Sequence, residues 1–277
     1  MVFWSLFGDI SLEYGRTTVL NFAGGIMKSL VLALLILLGT SNTVSASEGH
    51  SRVLMHSELA PVVSAGTLNY SFSLKDVHTN QKISDSDLRI SHEKKLHFLI
   101  YDSSLKEFQH LHPEFDGQSW RVSFDLLVDG DYWVWTQGEL AADGSEFSAV
   151  TKLSVANGLP AWALPPALGD NRVGLSGNSV VELSGEEIRS GGMVMLTVKF
   201  SRNDGTSPSL QNYLGAFAHV VAVPSSGDQL LHVHPMSMGP NEGMIHATFP
   251  EKGDYRLWIQ FIDGSELKTV ALSISVK

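Results

Sequence analysis

Two stretches of the chain repeat one pattern of three histidines, and this repeat constrains the fold more than any other feature. Each trio is a histidine followed thirteen positions later by an H-x-H pair: His97, His110 and His112 in the first stretch, and His219, His232 and His234 in the second. In both stretches two apolar runs flank a short polar turn, which is typical of a β-hairpin. A spacing that is kept twice in one chain indicates that each hairpin needs its histidines in these positions.

The position of the turn decides which residues face each other across each hairpin. If the chain reverses at the middle of the polar turn, His97 pairs with His112, and His219 pairs with His234. Cross-strand partners, and residues two apart on one strand, lie on the same face of a sheet, with opposed Cβ atoms about 4.5–5.5 Å apart. Three imidazoles placed in this way can bind one ion through metal–nitrogen bonds of about 2.0–2.1 Å. Each hairpin is therefore predicted to carry a three-histidine metal site.

The same faces also carry apolar side chains, so a second interpretation stays open. Leu99 and Tyr101 accompany the first trio, Val221 and Val223 accompany the second, and the opposite faces are apolar as well. On this interpretation the histidines are core residues whose ring nitrogens bond to the backbone, because a buried polar nitrogen needs a partner. Metal ligation and a structural histidine cluster are thus the two hypotheses for these residues.

The composition limits the kinds of protein that this chain can be. With 277 residues, of which 43% are hydrophobic, it can bury more than one core. A formal net charge of −10 argues against a nucleic-acid partner, which would need a basic surface. The chain has no cysteine, which excludes disulfides, iron–sulfur clusters and a cysteine-ligated copper centre. Histidine and methionine must therefore supply any transition-metal ligands.

Residues 27–46 have the features of a secretory signal peptide. A basic start at Lys28 precedes an apolar run, and Val44-Ser45-Ala46 is a small-residue cleavage site. The apolar run is short for a bilayer span and no second one follows, so we expect a mature protein without a membrane span, in the periplasm or outside the cell. Residues 1–26 are predicted to be an over-extended start, with Met27 as the initiator. A longer, atypical signal or a membrane-anchoring N-terminus is the alternative.

The rest of the chain is predicted to be all-β, as two tandem immunoglobulin-like β-sandwich domains. Short apolar strands alternate with turns every eight to twelve residues, and no stretch keeps a helical period. The first domain is placed at 47–156 and the second at 173–277, and a proline- and glycine-rich linker at 157–172 joins them. The two halves repeat one another beyond the histidines, because Gly253-Asp254-Tyr255 matches Gly130-Asp131-Tyr132.

The histidine segments also carry a family resemblance. The segment HEKKLHFLIYDSSLKEFQHLHPEF, followed by GDYWVW, resembles the exported bacterial domains called YtkA-like, and LGAFAHVVAV with LLHVHP and GDYRLWIQF resembles their companion form. The likeness covers nearly all of residues 51–277, as two tandem copies of an HxHP-containing domain. Such proteins look like immunoglobulin-like or cupredoxin-like modules and occur with heavy-metal handling or respiratory-oxidase assembly. The resemblance implies an exported metal-associated module, with a periplasmic metal-handling or oxidase-assembly protein as partner, and it names no reaction.

Two methionines after the second H-x-H pair bear on which metal would bind. Three neutral imidazoles suit zinc or copper, and the soft thioethers of Met236 and Met238 tilt the choice toward copper. The other interpretation of these methionines is ordinary loop residues or core filler. The sequence thus predicts an exported, non-enzymatic protein that binds a transition metal, copper or alternatively zinc, for buffering, delivery or resistance. The histidines outside the repeat are interpreted as surface or structural residues: His50, His56, His78, His92 and His246. For His50 and His56, near the mature N-terminus, the alternative is a role as a fourth metal ligand.

Two other functions are kept as alternatives. A structural or protein-interaction sandwich would also explain a duplicated hairpin, because a fold alone does not specify a function. A zinc-dependent hydrolase comes third, because three histidines with an open fourth position also hold a catalytic zinc. Against catalysis, the chain has no G-x-S-x-G elbow, Walker loop or dinucleotide-binding fingerprint, and Glu93, Glu107 and Glu114 have no acidic counterparts in the second hairpin.

Overall fold

The structure is a computed structural model, and it describes residues 51–161 and 168–277. The predicted N-terminal extension at 1–26 and the predicted signal peptide at 27–46 lie outside the described residues, and so does the middle of the predicted linker. Within the described residues there is no helix of the length and apolar character that crossing a membrane requires.

Between residues 51 and 161 the chain forms two β-sheets that pack as a sandwich. The strands are β1 (Val53–His56), β2 (Val62–Ser64), β3 (Gly66–Asp76), β4 (Lys82–Ile83), β5 (Leu96–Asp102), β6 (Phe108–Leu111), β7 (Glu114–Phe115), β8 (Trp120–Leu126), β9 (Gly130–Glu139) and β10 (Glu146–Ala156). One sheet has the order β1-β3-β8-β7, with β4 beside β3, and the other has the order β2-β10-β9-β5-β6. A 3-10 turn at Asp85–Asp87 precedes the first histidine hairpin, β5–β6.

Between residues 168 and 277 the chain forms a second pair of sheets. The strands are β11 (Val173–Ser176), β12 (Ser179–Ser184), β13 (Met193–Arg202), β14 (Leu210–Gln211), β15 (His219–Pro224), β16 (Leu231–Val233), β17 (Met236–Gly239), β18 (Glu242–Thr248), β19 (Gly253–Asp263) and β20 (Glu266–Val276). One sheet has the order β11-β12-β13-β18-β17, and the other has the order β14-β19-β15-β16, with β20 beside β19. The second histidine hairpin is β15–β16.

The strand order of each half is that of an immunoglobulin-like sandwich. In the first half β1, β3, β8 and β7 correspond to strands A, B, E and D of that fold, and β10, β9 and β5 correspond to strands G, F and C. The second half repeats this order with β12, β13, β18 and β17 in one sheet and with β20, β19 and β15 in the other. The predicted fold class, all-β with two tandem immunoglobulin-like sandwiches, is confirmed.

The repeated Gly-Asp-Tyr motif forms the same corner in both sandwiches. Tyr132 donates a hydrogen bond to the carbonyl oxygen of Val128 (3.2 Å), and Tyr255 donates one to that of Glu251 (3.1 Å). A tyrosine near the start of strand F with such a bond is a hallmark of this fold. Both phenol rings are buried, so each hydroxyl needs a fixed partner.

Each sandwich has its own apolar core, which the strands build by alternation. In β3, Tyr70, Phe72 and Leu74 are buried while the residues between them are exposed or half-buried, as the alternating sequence predicts. In β13, Val198 and Phe200 lie inward in the same manner. The two cores share no residue, so each half buries its own apolar surface.

A third apolar cluster lies between the two sandwiches. It takes side chains from both halves: Leu99, Tyr101, Leu105 and Trp135 from the first, and Val221, Val223, Leu230 and Trp258 from the second. Strands β5 and β15 are buried along their whole length, because one face lies in the sandwich core and the other lies against the opposite sandwich. Burial on both sides explains why both faces of each hairpin are apolar in the sequence.

Candidate metal centre between the two sandwiches

The register predicted for both histidine hairpins is confirmed. Leu99 pairs with His110 in the first hairpin, and Val221 pairs with His232 in the second. These are the pairings that follow if each chain reversal lies at the middle of its polar turn. The histidines of each trio therefore lie on the outer face of the sheet that holds the hairpin.

The two trios do not form separate sites, because the faces that carry them pack against each other. Across the interface the ring centroids of His97 and His232 are 5.2 Å apart, and those of His110 and His219 are 5.5 Å apart. Within the trios the corresponding distances are similar, at 5.3 Å for His97 with His110 and 5.4 Å for His219 with His232. The expectation of one isolated site on each hairpin is thus replaced by a single histidine cluster between the sandwiches.

Two groups of three histidines in the described residues bring their ligand nitrogens within 4.8 Å of one another. One group is His219, His232 and His234, which is the predicted second trio. The other is His97, His110 and His232, in which a residue of the second sandwich stands where His112 was expected. The cluster therefore combines ligands from both halves of the chain.

His112 lies beside the cluster with one nitrogen unused. Its ring centroid is 5.2 Å from that of His97 and 4.9 Å from that of His110. Its Nε2 is buried and has no hydrogen-bond partner. A buried polar atom without a partner is costly, so this nitrogen is available as a ligand.

In the first trio the outer hydrogen bonds decide which nitrogens carry hydrogen. His97 Nε2 lies 3.4 Å from the carbonyl oxygen of Ser91, which can only accept, so this nitrogen is the donor. Gln260 Oε1 lies 2.8 Å from His110 Nδ1, and Gln260 Nε2 lies 3.1 Å from the hydroxyl of Thr269. With the amide placed in this way His110 Nδ1 is the donor, and His97 Nδ1 and His110 Nε2 face each other at 3.0 Å with lone pairs on both.

The first two histidines of the second trio repeat this arrangement. His219 Nε2 donates to the carbonyl oxygen of Tyr213 at 2.9 Å, and His232 Nδ1 donates to Gln137 Oε1 at 3.2 Å. Gln137 Nε2 in turn donates to Ser148 at 3.2 Å. His219 Nδ1 and His232 Nε2 consequently face each other at 3.2 Å, and His234 Nε2 lies 2.9 Å from the same His219 nitrogen.

A glutamine of each sandwich accepts a hydrogen bond from a histidine of the other sandwich. Gln137 lies opposite His97 in the first sandwich but accepts the hydrogen bond of His232 in the second. Gln260 lies opposite His219 in the second sandwich but accepts that of His110 in the first. This reciprocity is the mark of a pseudo-two-fold interface between duplicated domains.

A tight turn in front of each hairpin supplies the carbonyl that holds the first histidine. In each turn the first and fourth residues exchange backbone hydrogen bonds, Ser91 with Lys94 and Tyr213 with Ala216. The two central residues of both turns have positive φ, which is the geometry of a type I′ turn.

Burial keeps the imidazoles neutral. Loss of solvation lowers the pKa of His97 and of His219 to about 4 and that of His112 to about 3. It also lowers the pKa of the three other cluster histidines below the ordinary value: His110, His232 and His234. Neutral imidazole is the form that binds metal ions.

His92 belongs to the cluster, although the sequence predicted a surface or structural residue at this position. Its ring stacks on that of His234, with centroids 3.7 Å apart and an interplanar angle of 30°. It occupies a central position of the first tight turn, with φ of 50°, which histidine tolerates better than most residues. Its counterpart in the second turn is Leu214, so the repeat contained no signal for it.

A small pocket opens beside the cluster. Its wall includes His92, His97 and His234, and at its rim are the carboxylates of Glu139 and Glu146. Glu146 is exposed, so the pocket is open at that end. The carboxylates favour the approach of cations, although Arg89 pairs with Glu139 (2.8 Å). A second pocket includes His112 and Glu114 in its wall.

Met236 and Met238 lie on the other sheet of the second sandwich. They belong to β17, an edge strand that pairs with β18, and their side chains are 52% and 60% exposed. The histidines lie on β15 and β16 in the opposite sheet. The chain changes sheets directly after His234, so proximity in sequence does not bring these thioethers into the cluster.

The comparisons with known proteins identify neither a function nor a family for the whole chain. The model of a domain of unknown function (DUF8832) matches residues 174–277, which is the second sandwich. Among curated proteins no sequence matches.

Several solved structures resemble the chain at a distance. The Escherichia coli adhesin FdeC is 15% identical over 83% of this chain and 65% of its own, with a TM-score of 0.25. The fibronectin(III)-like modules of Clostridium thermocellum CbhA are 12% identical over 81% of this chain and 94% of their own, with a TM-score of 0.22. The chain thus spans about two thirds of the length of the adhesin. Similarity this low carries no information about the function of the chain.

Proposed function

We propose that this protein binds transition-metal ions in the histidine cluster between its two sandwiches. The observation that carries the proposal is the facing of unprotonated ring nitrogens, His97 with His110 at 3.0 Å and His219 with His232 at 3.2 Å. Two lone pairs at this distance repel each other. A cation between them converts the repulsion into two ligand bonds.

The distances suit a bound ion. Nitrogens that bind one tetrahedral ion through bonds of about 2.0–2.1 Å lie about 3.3 Å apart, which is close to the observed separations. Four of the cluster histidines also use their second nitrogen to donate to a carbonyl or carboxamide oxygen: His97, His110, His219 and His232. Such outer bonds fix the tautomer and orientation of metal-binding histidines.

A purely structural cluster explains these residues less well. Bonds to the backbone and to the glutamines satisfy only one nitrogen of each ring. His219 Nδ1 could accept a hydrogen bond from His234 Nε2 at 2.9 Å, but His97 Nδ1 and His110 Nε2 would stay buried against each other, and the buried Nε2 of His112 would stay without a partner. Metal ligation gives all of them a role.

Copper is the proposed metal, with zinc as the alternative. A site of neutral imidazoles suits both ions, and nitrogen sites generally hold copper more strongly than zinc. The exposed positions of Met236 and Met238 remove the methionine argument for copper. The proposed roles are metal buffering, delivery or resistance outside the cytoplasm, with a periplasmic metal-handling or oxidase-assembly protein as partner, in line with the resemblance to YtkA-like domains.

The test is metal analysis of the purified full chain and its variants. We expect near-stoichiometric copper or zinc after dialysis against the free ion, and strongly reduced content in His110→Ala and His232→Ala. His78→Ala is the matched control, because His78 is exposed and lies outside the cluster. Equal metal content in all four proteins, each shown to be folded by circular dichroism, would contradict the proposal.

The pocket favours a zinc-dependent hydrolase as the second candidate. Glu139 and Glu146 line the same pocket as His97, His232 and His234, and Glu139 is already paired with Arg89. A carboxylate of this kind is what a metal-activated water needs as a base. The zinc-loaded chain should then hydrolyse activated aryl esters. Loss of this activity in Glu146→Gln, with zinc content unchanged, would support this candidate over simple binding.

A further inference from the structure

We infer that the cluster holds two ions side by side, one for each trio, and that the pair is of monovalent soft cations such as copper(I). This inference rests on the proposed function and specifies its stoichiometry and ligand class. It differs from two independent hairpin sites, because both ions would share one compartment.

We infer two ions because two pairs of ring nitrogens face each other with lone pairs. One pair is His97 Nδ1 with His110 Nε2, and the other is His219 Nδ1 with His232 Nε2. The described residues that can converge on one point form two groups of three, and neither contains both facing pairs. A single ion bound by His97 and His110 would leave His219 and His232 facing each other at 3.2 Å. Each pair therefore calls for its own cation.

The ligand sets follow from counting free nitrogens. His232 gives its Nδ1 to Gln137, so only its Nε2 can bind metal, and it serves one ion at a time. When it binds together with His219 and His234, the first ion needs another third ligand. His112, whose buried Nε2 has no partner and whose ring lies 4.9 Å from that of His110, lies outside both groups of converging nitrogens, so it completes the first set only if its side chain rotates toward His97 and His110.

The two ions would lie only a few ångströms apart. The ligand nitrogen of His232 is within 4.8 Å of those of His97 and His110, although His232 belongs to the second set. Ring distances across the interface, 5.2–6.2 Å, are close to those within the trios. Protein sites that hold two ions in one compartment typically separate them by about 3.5–4 Å.

The repulsion between two neighbouring ions favours monovalent over divalent cations. All six ligand rings are neutral, so nothing in the ligand set offsets repulsion between the ions. Because Coulomb energy scales with the product of the charges, two divalent ions repel about four times as strongly as two monovalent ions at one distance. Imidazole is a ligand that suits copper, and because the chain has no cysteine only methionine thioethers would compete for the monovalent ion.

The stoichiometry can be measured by native mass spectrometry of the full chain under argon, with the copper(I)–acetonitrile complex as the probe and a competing chelator present. We expect two ions per chain in the unaltered protein, one in His110→Ala, one in His232→Ala and none in the double variant. His78→Ala and Met236→Leu should both retain two, because the first residue is exposed and the second is a surface thioether on the other sheet.

Anomalous diffraction from crystals of the copper-loaded chain measures the separation without any variant, so it decides the matter even where a variant fails to fold. Two peaks within about 5 Å of each other, between the sandwiches, are expected. One ion per chain, or two peaks that are more than about 8 Å apart, would overturn the inference and leave the proposed function standing. No bound ion in either experiment would remove both.

Discussion

Gln137 and Gln260 decide the chemistry of the cluster although neither is a proposed ligand. Each carboxamide oxygen accepts the Nδ1 hydrogen of a histidine from the opposite sandwich, and each amide nitrogen is held by a hydroxyl on the neighbouring strand. The bond forces the lone pair of that histidine onto Nε2, which faces the cluster. Without the glutamine the ring could adopt the other tautomer or rotate.

We therefore predict that Gln137→Leu lowers metal affinity by about 10- to 100-fold, the usual cost of losing such an outer partner. Competition with a chromophoric chelator measures the affinity. Gln81→Leu is the control, because Gln81 is exposed. An affinity of Gln137→Leu equal to that of the control would show that the orientation of His232 does not depend on this bond.

The ion pair between Arg202 and Asp263 lies outside the histidine cluster. Asp263 has a side chain that is only 3% exposed, and Arg202 donates to both of its oxygens, at 2.6 and 2.9 Å. Bonding to Arg202 lowers the pKa of Asp263 to about 2. Removing Arg202 would leave this carboxylate without its cation, so Arg202→Met should lower the free energy of unfolding at pH 7.

The pH dependence follows from the direction of that shift. A carboxylate whose folded pKa lies below its unfolded value of about 3.9 stabilises the fold above that value, and this contribution is lost as pH falls toward 2. Urea denaturation should therefore show the stabilities of the unaltered protein and Arg202→Met converging between pH 4 and pH 2. Arg189→Met, at an exposed ion pair, should be near neutral throughout.

Among the elements, strands β5 and β15 each contribute side chains to two apolar regions, the core of their own sandwich and the cluster between the sandwiches. Their inward residues fill the sandwiches, and their outward residues fill the shared cluster between them. Trp258 on β19 is a central contact there, because it stacks on Phe108 of the opposite hairpin with ring centroids 4.6 Å apart. The apolar contacts thus hold the two histidine faces together.

Trp258→Ala should destabilise the protein by about 3–5 kcal/mol, as expected for loss of a buried aromatic side chain, and should also weaken metal binding. Thermal denaturation and chelator competition measure the two effects. Leu175→Ala serves as the control, since Leu175 is 61% exposed. Full metal affinity in a folded but destabilised Trp258→Ala protein would mean that the cluster does not need this contact.

The elements also show how far the sequence could predict the site. The register of both hairpins followed from the polar turn and the histidine spacing, because those features act locally. The meeting of the two trios could not be predicted, because apolar faces on both sides of a strand do not say which partner covers them. His92 was missed because the repeat gives it Leu214 as counterpart, and Met236 is separated from the cluster by a change of sheet.

At the scale of the whole molecule, the proposed site ties the two sandwiches together. Its ligands and outer partners come from both halves, so a bound ion stabilises the docked pair relative to separated or unfolded sandwiches. With free ion at about one hundred times the dissociation constant, each bound ion should add about 2.7 kcal/mol to the free energy of unfolding. Calorimetric melting should therefore show a higher Tm with copper, reversed by chelator.

His110→Ala provides the comparison for that experiment. Its Tm should respond less to copper than that of the unaltered protein, because it lacks one of the facing nitrogens. Equal responses would place the stabilising ion elsewhere on the molecule.

X-ray absorption spectroscopy of the copper-loaded protein shows directly whether buried histidines of both sandwiches hold the metal. We expect a first shell of nitrogen at about 2.0 Å with outer scattering from imidazole rings, and no sulfur. A shell of oxygen or sulfur without imidazole scattering would contradict this expectation.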